Sequence, residues 1–487
     1  MSAGVRGRLA RLNPFAGLPN PREVWAWGMF DLANQSFTLL IITLLFSLYV
    51  TQVVVPQPVF DAELQALVDA ARASDDVRAA AAPEVVAACD RADAAERQGK
   101  FVWSLLHGGS LLAVVVLSPV IGAYGDIRAR RKLLLMLTGL ASGALTCSLG
   151  FVGPGMVILA ATLYIPANVA YQIGENFLAS FLPDVSTRRN MGRISAIGWT
   201  MGYAGALALL TIVTLAMLLF DLKQPGQWRP LFVFAGLWFL LGIVPAGLFL
   251  RRDAAPRETE QHPLRAAVRR VAGRVHLAAK HRQLARFLLA FLIYGFGVQT
   301  IIGFASIIAR DFGFGDVSLV LFVAQITITA VIAAVATSFF QDRLGAKRTV
   351  LIYLGVWVAS CSAMVAIAVV WPGGGPQWPL WIVGNGLGFG LGGIGTASRS
   401  LVGRLTPAHR TAEFFGLWGM IYKLAGAIGV LSFGAIARTL GEVASLVLLL
   451  SFFAVGTLLM LRVNERAGVR EAMRNERQAR RDGLPAG

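Results

Sequence analysis

The sequence predicts an all-α polytopic membrane protein, with twelve transmembrane helices in two six-helix halves and both termini cytoplasmic. Three observations lead there. Of 487 residues, 56% are hydrophobic and only 15% are charged, too few to clothe a soluble chain of this length. Apolar runs of about 18 residues or more recur from end to end, each able to cross a hydrocarbon core roughly 30 Å thick. The positive charge is concentrated in alternate short connections between those runs.

The apolar runs place spans at 25–55, 102–123, 133–153, 156–182, 192–220 and 229–250. A second set follows at 284–309, 316–340, 349–371, 379–403, 413–437 and 441–462. The 52 glycines suit close helix packing in lipid, where small residues let backbones approach. Arg6, Arg8, Arg11 and Arg22 precede span 1, Arg128, Arg130, Arg131 and Lys132 follow span 2, and Arg188, Arg189 and Arg193 follow span 4. The other connections are poor in Lys and Arg, so the positive-inside rule sets the basic side as cytoplasmic. The same rule accounts for the net charge of +17 without nucleic acid, for which no basic domain outside the membrane is present.

The expected organisation is a cytoplasmic segment 1–24, a first half 25–250, a cytoplasmic linker 251–283, a second half 284–462 and a cytoplasmic tail 463–487. Residues 56–100 stand on the far side of the first half. They are rich in Ala and carry more Asp and Glu than Lys and Arg, and stretches such as 63–69 read as short amphipathic helices. A solvated cap and a substrate-capturing lid are both compatible with that composition. The linker is expected to include an amphipathic helix on the membrane face. Cys89, Cys147 and Cys361 form no metal-ligand spacing, and Cys89, expected in a loop, has no nearby partner for a disulfide. No nucleotide-binding loop appears, so ATP drive is not expected, and neither a metal nor another cofactor is expected.

A duplication is written into the connections. After span 2, Asp126 is followed five and six residues later by Arg131 and Lys132. After span 8, Asp342-Arg343 is followed at the same offsets by Lys347 and Arg348. The two Asp are 216 residues apart, whereas Asp31 and Phe296 in the matching spans 1 and 7 are 265 apart. The difference, 49, is near the length of 56–100, which therefore reads as an insertion in the first half.

These loops resemble the signature loop of the major facilitator superfamily. The second copy lacks only the leading Gly, replaced by Ser338, and the first departs at Ile127 and Ala129. The resemblance implies that Asp126, Arg131, Asp342, Arg343, Lys347 and Arg348 gate the cytoplasmic helix ends, making and breaking charged pairs as the halves rock. Four further segments are more specific: Trp27 to Phe37, Glu175 to Asp184, Gly192 to Gly205, and Ser398 to Pro407 followed by Ala412 to Gly416. Together they are similar to the autophagy-related vacuolar amino-acid effluxers of fungi and their bacterial relatives. Two departures stand out: Phe296-Gly297 where that subfamily usually has Asp-Gly, and Gly395 where it often has Gln.

Ionisable groups at membrane depth normally face a cavity or a partner. Trp27, Asp31, Asn34 and Thr38 share one face of span 1, and Asn168, Gln172 and Glu175 share one face of span 4. Gln299 and Thr300 give span 7 a polar face, and Asn385, Gly392, Thr396 and Arg399 do so for span 10. By resemblance, spans 1, 4, 7 and 10 line the transport cavity. Two readings of the carboxylates stand side by side. Asp31 or Glu175 pairs with Arg399 or Arg188 as a cytoplasmic gate, or one of them loads and releases a coupling proton. Lys423, about ten residues into span 11, either holds a substrate carboxylate or neutralises a neighbouring one. His107 in span 2 is expected to be a packed, hydrogen-bonded histidine.

The function expected is secondary transport of a small polar solute by a monomer in the bacterial inner membrane. The resemblance implies amino acids and efflux, with a proton as candidate coupling ion. A non-transporting assembly or sensing protein and a membrane-embedded enzyme are the alternatives. Five scattered His with no paired ligands argue against the enzyme.

Overall fold

In the computed structural model the described residues are 20–127, 130–187, 190–222, 224–251, 281–371, 376–407 and 410–481, with Phe15 and Leu18 before them. Most of segment 1–24 and nearly all of the 251–283 linker lie outside that set, as does Arg188. Among the described residues the chain forms helices and turns, with no strand. The first half comprises Pro21–Val54, Pro83–Ile127, Arg131–Ser148, Val157–Ser180, Met191–Leu219 and Arg229–Phe249, spans 1 to 6 in order. The second comprises Arg282–Asp311, Asp316–Leu344, Ala346–Val370, Trp378–Leu405, Thr411–Leu440 and Glu442–Leu461, spans 7 to 12.

Eleven of these are apolar enough to cross a membrane by length and composition. The twelfth, span 10, is long enough at 28 residues, but eight glycines dilute its hydropathy. Those glycines have a packing reason. A Cβ on Gly392 would lie 1.9 Å from the backbone oxygen of Ala330 in span 8, and one on Gly393 would lie 2.0 Å from the ring of Tyr353 in span 9. Span 10 is thus wedged between the backbone of span 8 and the Tyr353 ring of span 9. Gly392→Ala, the smallest possible substitution, is expected to lower the thermal unfolding midpoint of purified protein. Gly395→Ala, where nothing lies within 4 Å, should leave it unchanged.

The halves meet along span 1 against span 7, span 2 against span 11, and span 5 against span 8. The last two pairings are equivalent under exchange of the halves, the structural counterpart of the duplicated loops. Span 1 is not a uniform α-helix: Ser36–Leu44 and Val50–Val54 are π-helical. Wider turns of this kind are rare and concentrate at functional positions. Within the first of them the Thr43 hydroxyl donates to the Thr38 carbonyl, five residues back, at 3.0 Å.

At the end of the bundle reached by the 56–100 segment, the halves are sealed. Ser47 and Ser306 share a hydrogen bond of 2.9 Å, and the Trp103 indole N–H donates to the Gly303 carbonyl at 2.7 Å. Within the segment, Ala62–Ala73 and Asp75–Ala80 are helical, and Pro83–Ile127 runs without a break into span 2. Val68, Ala71, Val85, Ala88 and Cys89 form a separate small apolar core under these helices. Cys89 is therefore on a helix rather than in a loop, and its thiol lies 3.8 Å from the Val68 carbonyl. All three cysteines are free.

At the opposite end, Gly345 joins spans 8 and 9 with φ of 87°, a conformation that favours glycine. The helix after span 12, Glu465–Arg481, folds back there. Its Glu465 carboxylate accepts from the backbone N–H of Lys347 at 2.9 Å and pairs with Arg404 at 3.0 Å.

Candidate functional site

The polar stripes of spans 1 and 4 converge in the seam between the halves and meet span 11. The Asn34 amide donates to Glu175, and the Lys423 ammonium donates across the seam to the side-chain oxygen of Gln172. Thr38 and Tyr171 share a hydrogen bond of 2.6 Å, and Phe37 stacks on the Tyr171 ring at 4.8 Å. Behind Gln172 the network continues into the first half: its amide donates to Asn168 at 3.3 Å, and Asn168 donates to Ser110 at 2.6 Å. His107 completes this layer, hydrogen-bonded to the Tyr164 hydroxyl at 2.8 Å and stacked on Trp103. It is a packed histidine of the sealed end.

Glycines let span 1 sit close to span 5. A Cβ on Gly202 would lie 3.1 Å from the Asp31 carboxylate, and one on Gly205 would lie 2.8 Å from the Leu32 carbonyl. This close approach places Asp31 beside Glu175, so two carboxylates repel one another on the first-half wall. The second half answers with cations. Lys423 lies in the field of Glu175 without direct contact, and Arg399 lies near Tyr203 and Tyr422. The buried Oδ1 of Asn34 has no hydrogen-bond partner, and neither has the indole nitrogen of Trp418, one turn before Tyr422.

The expected gate pairs do not form in this conformation. Neither Asp31 nor Glu175 is within ion-pair distance of Arg399, whose guanidinium instead stacks over the Trp199 ring of span 5 at 5.2 Å. Arg399 and Trp199 are both exposed, on the side of the bundle that carries the duplicated loops.

Other expected residues lie elsewhere. Gln299 is buried against span 11, its amide donating to the Tyr422 carbonyl at 3.4 Å. Asn385 is exposed and bonded to Thr329 of span 8 at 3.0 Å, away from the chamber. The stripe read on span 10 therefore divides: Gly392 packs on span 8, and only its Arg399 end reaches the opening. We expect Asn385→Ala to change transport less than about twofold, as befits a residue outside the pathway, measured as flux in proteoliposomes. Phe296 packs on Phe452 of span 12.

Of the loop residues, Arg131 pairs with Asp184 at 2.7 Å within the first half. The Lys347 ammonium donates to the Leu461 carbonyl at 3.0 Å within the second half. Arg343 and Arg348 are exposed. The side chains of Asp126 and Asp342 lie outside the described residues. Trp199, Tyr171 and Trp418 escaped the sequence reading. Trp199 lies within the Gly192 to Gly205 segment quoted for the family resemblance, one residue after Gly198 but on a different face of span 5.

Twelve spans in two halves around a polar chamber define a membrane transporter of the major facilitator type. The sequence profile described as "Vacuole effluxer Atg22 like" matches residues 19–192 and 186–473, and the chain belongs to that family. An MFS-type transporter of Bacillus subtilis (strain 168), YxiO, is 25% identical over 368 residues, covering 73% of this chain and 83% of that protein. Autophagy-related protein 22-1 of Penicillium rubens is 25% identical over 313 residues, covering 61% of this chain and 52% of the fungal protein. The chain thus spans about half the length of that fungal relative. Among solved structures, a D-xylose–proton symporter superposes with a TM-score of 0.63 at 13% identity, covering 92% of this chain and 98% of the symporter. The nucleoside transporter NupG gives 0.60 at 12% identity, covering 92% of this chain and 98% of NupG. At these identities the structural likeness shows the fold alone. Relatives and structural neighbours alike are transporters, not enzymes.

Proposed function

We propose that this transporter moves zwitterionic amino acids by alternating access, outward across the bacterial inner membrane, with its termini in the cytoplasm. One observation carries the reading: the chamber's charges are segregated by half. Asp31 and Glu175 stand on spans 1 and 4, Lys423 and Arg399 on spans 11 and 10. A solute bearing an ammonium and a carboxylate a few bonds apart complements both walls at once. Binding it draws the two halves together, and the Oδ1 of Asn34, buried without a hydrogen-bond partner, is one more acceptor for the ammonium. Proton coupling would fall to Asp31 or Glu175, the two carboxylates at membrane depth on the first-half wall.

Counterflow into proteoliposomes tests the substrate class. An amino acid should exchange, while its amide and its N-acetyl derivative, each lacking one charge, should not. Equal exchange of all three would overturn the reading. Asp31→Asn and Glu175→Gln test the coupling. Transport driven by a pH gradient should fail in at least one of them, and undiminished drive in both would remove protons from the scheme.

A further inference from the structure

The sealed end carries a chain of alternating charge that the central site does not use. Arg72, on the helix Ala62–Ala73, pairs with Glu96 at 2.5 Å and with Asp93 at 2.9 Å. Glu96 in turn pairs with Lys100, one turn further along the same long helix, at 2.7 Å. Lys100 then crosses the seam to Asp311, the last residue of span 7, at 2.7 Å. The side chains of Lys100 and Asp311 are only 7% and 9% exposed. Glu442, at the start of span 12, adds a further carboxylate to the field of Lys100. Arg438 of span 11 lies over the Phe101 ring at 4.5 Å, a second cation bridging the halves at this level.

We infer that Arg72, Glu96, Lys100 and Asp311 form the gate of this end, and that the Ala62–Ala73 helix sets its strength through Arg72. The physical logic lies in competition for one cation. Lys100 is shared between Glu96, in its own half, and Asp311, in the other. When Arg72 occupies Glu96, that carboxylate needs less from Lys100, and the ammonium is freer to hold Asp311. When Arg72 withdraws, Glu96 reclaims Lys100 and the contact across the seam weakens. Opening this end must separate Lys100 from Asp311. A buried charge left without its partner is strongly unfavourable, so the relay holds the end shut until both groups become hydrated together. The helices between spans 1 and 2 then take part in the transport cycle as well as covering it.

Ser306 supplies the reporter, since it is fully buried in the seam against Ser47, just beneath Asp311. In a background of Cys89→Ala, Cys147→Ala and Cys361→Ala, Ser306→Cys is labelled with a maleimide in nanodiscs. Adding Asp311→Asn or Lys100→Ala should raise the labelling rate about tenfold or more, the scale of losing one partner of a buried pair. Adding Arg72→Ala should raise it severalfold, and should do nothing further once Lys100→Ala is present. Lys100→Arg should restore slow labelling, and so should exchanging the charges in Lys100→Asp with Asp311→Lys. Thermal unfolding of each variant separates opening from loss of fold, and the charge exchange serves where a single variant fails to fold. Unchanged labelling in folded Asp311→Asn overturns the gate. Faster labelling there, with none in Arg72→Ala, overturns the role of the Ala62–Ala73 helix. Both outcomes are independent of the cargo, so an error in the proposed substrate leaves this test intact.

Discussion

Replacing Lys423 with Met is expected to lower amino-acid counterflow by about 100-fold, the effect of losing a charged hydrogen bond at membrane depth. Lys423 reaches across the seam to the first half through Gln172, and it also lies in the field of Glu175. Two roles follow from that position, and a second variant separates them. If Lys423 binds the substrate carboxylate, Lys423→Met with Glu175→Gln stays inactive, because the missing contact is with the substrate. If Lys423 only balances Glu175, the double variant recovers substrate binding, because removing both charges leaves neither one stranded. Lys423→Arg should keep part of the activity in either case. Thermal unfolding of the single variant gives the necessary control for folding.

The second large effect is steric. Gly205→Leu should destabilise the protein by at least about 3 kcal/mol, or prevent recovery of folded protein. The position faces the backbone of Leu32 as well as its side chain: a Cβ there meets the Leu32 Cγ at 2.7 Å, the carbonyl oxygen at 2.8 Å and the Cα at 3.2 Å, and the backbone atoms cannot swing away. Forcing spans 1 and 5 apart would also draw Asp31 away from Glu175, since Gly202 on the same face sets that approach. Gly205→Ala should show the same trend in smaller measure. If its unfolding midpoint and transport match those of the parent, the close packing of spans 1 and 5 is not what positions the carboxylates.

Much of the architecture was legible because membrane folding rests on local signals. Apolar length marks each span, basic connections alternate, and a duplicated loop divides the chain. The polar faces of spans 1 and 4 were legible for the same reason, since helical spacing alone brings Asp31, Asn34, Gln172 and Glu175 to one side of their helices. What escaped depends on pairing between distant segments. Lys100 and Asp311 are 211 positions apart, and nothing in either neighbourhood announces the other. Asn385 sits on a helix whose polar stripe looked continuous, but the glycines rotate it: Gly392 must face span 8, and that carries Asn385 toward span 8 and the outside. The π-helical turns of span 1 left no mark in the sequence, because widening a turn costs little when neighbouring helices support it.

Span 10 has a consequence for how the protein is made. Its glycines bring it below the hydropathy of the other eleven spans, so it is the segment least able to leave the translocation channel for lipid unaided. The same glycines are what let it lie against the backbone of span 8 once both are in the bilayer. Insertion and packing therefore make opposite demands on one helix. Leu at Gly392 would help the nascent segment partition and then block the finished bundle, whereas Leu at Gly395 would help partitioning with no neighbour to obstruct. Spans 8 and 9 are synthesised first and already offer the groove that span 10 fills. Its entry into the membrane is best understood as docking onto that pair, a folding step that begins before the chain has left the channel.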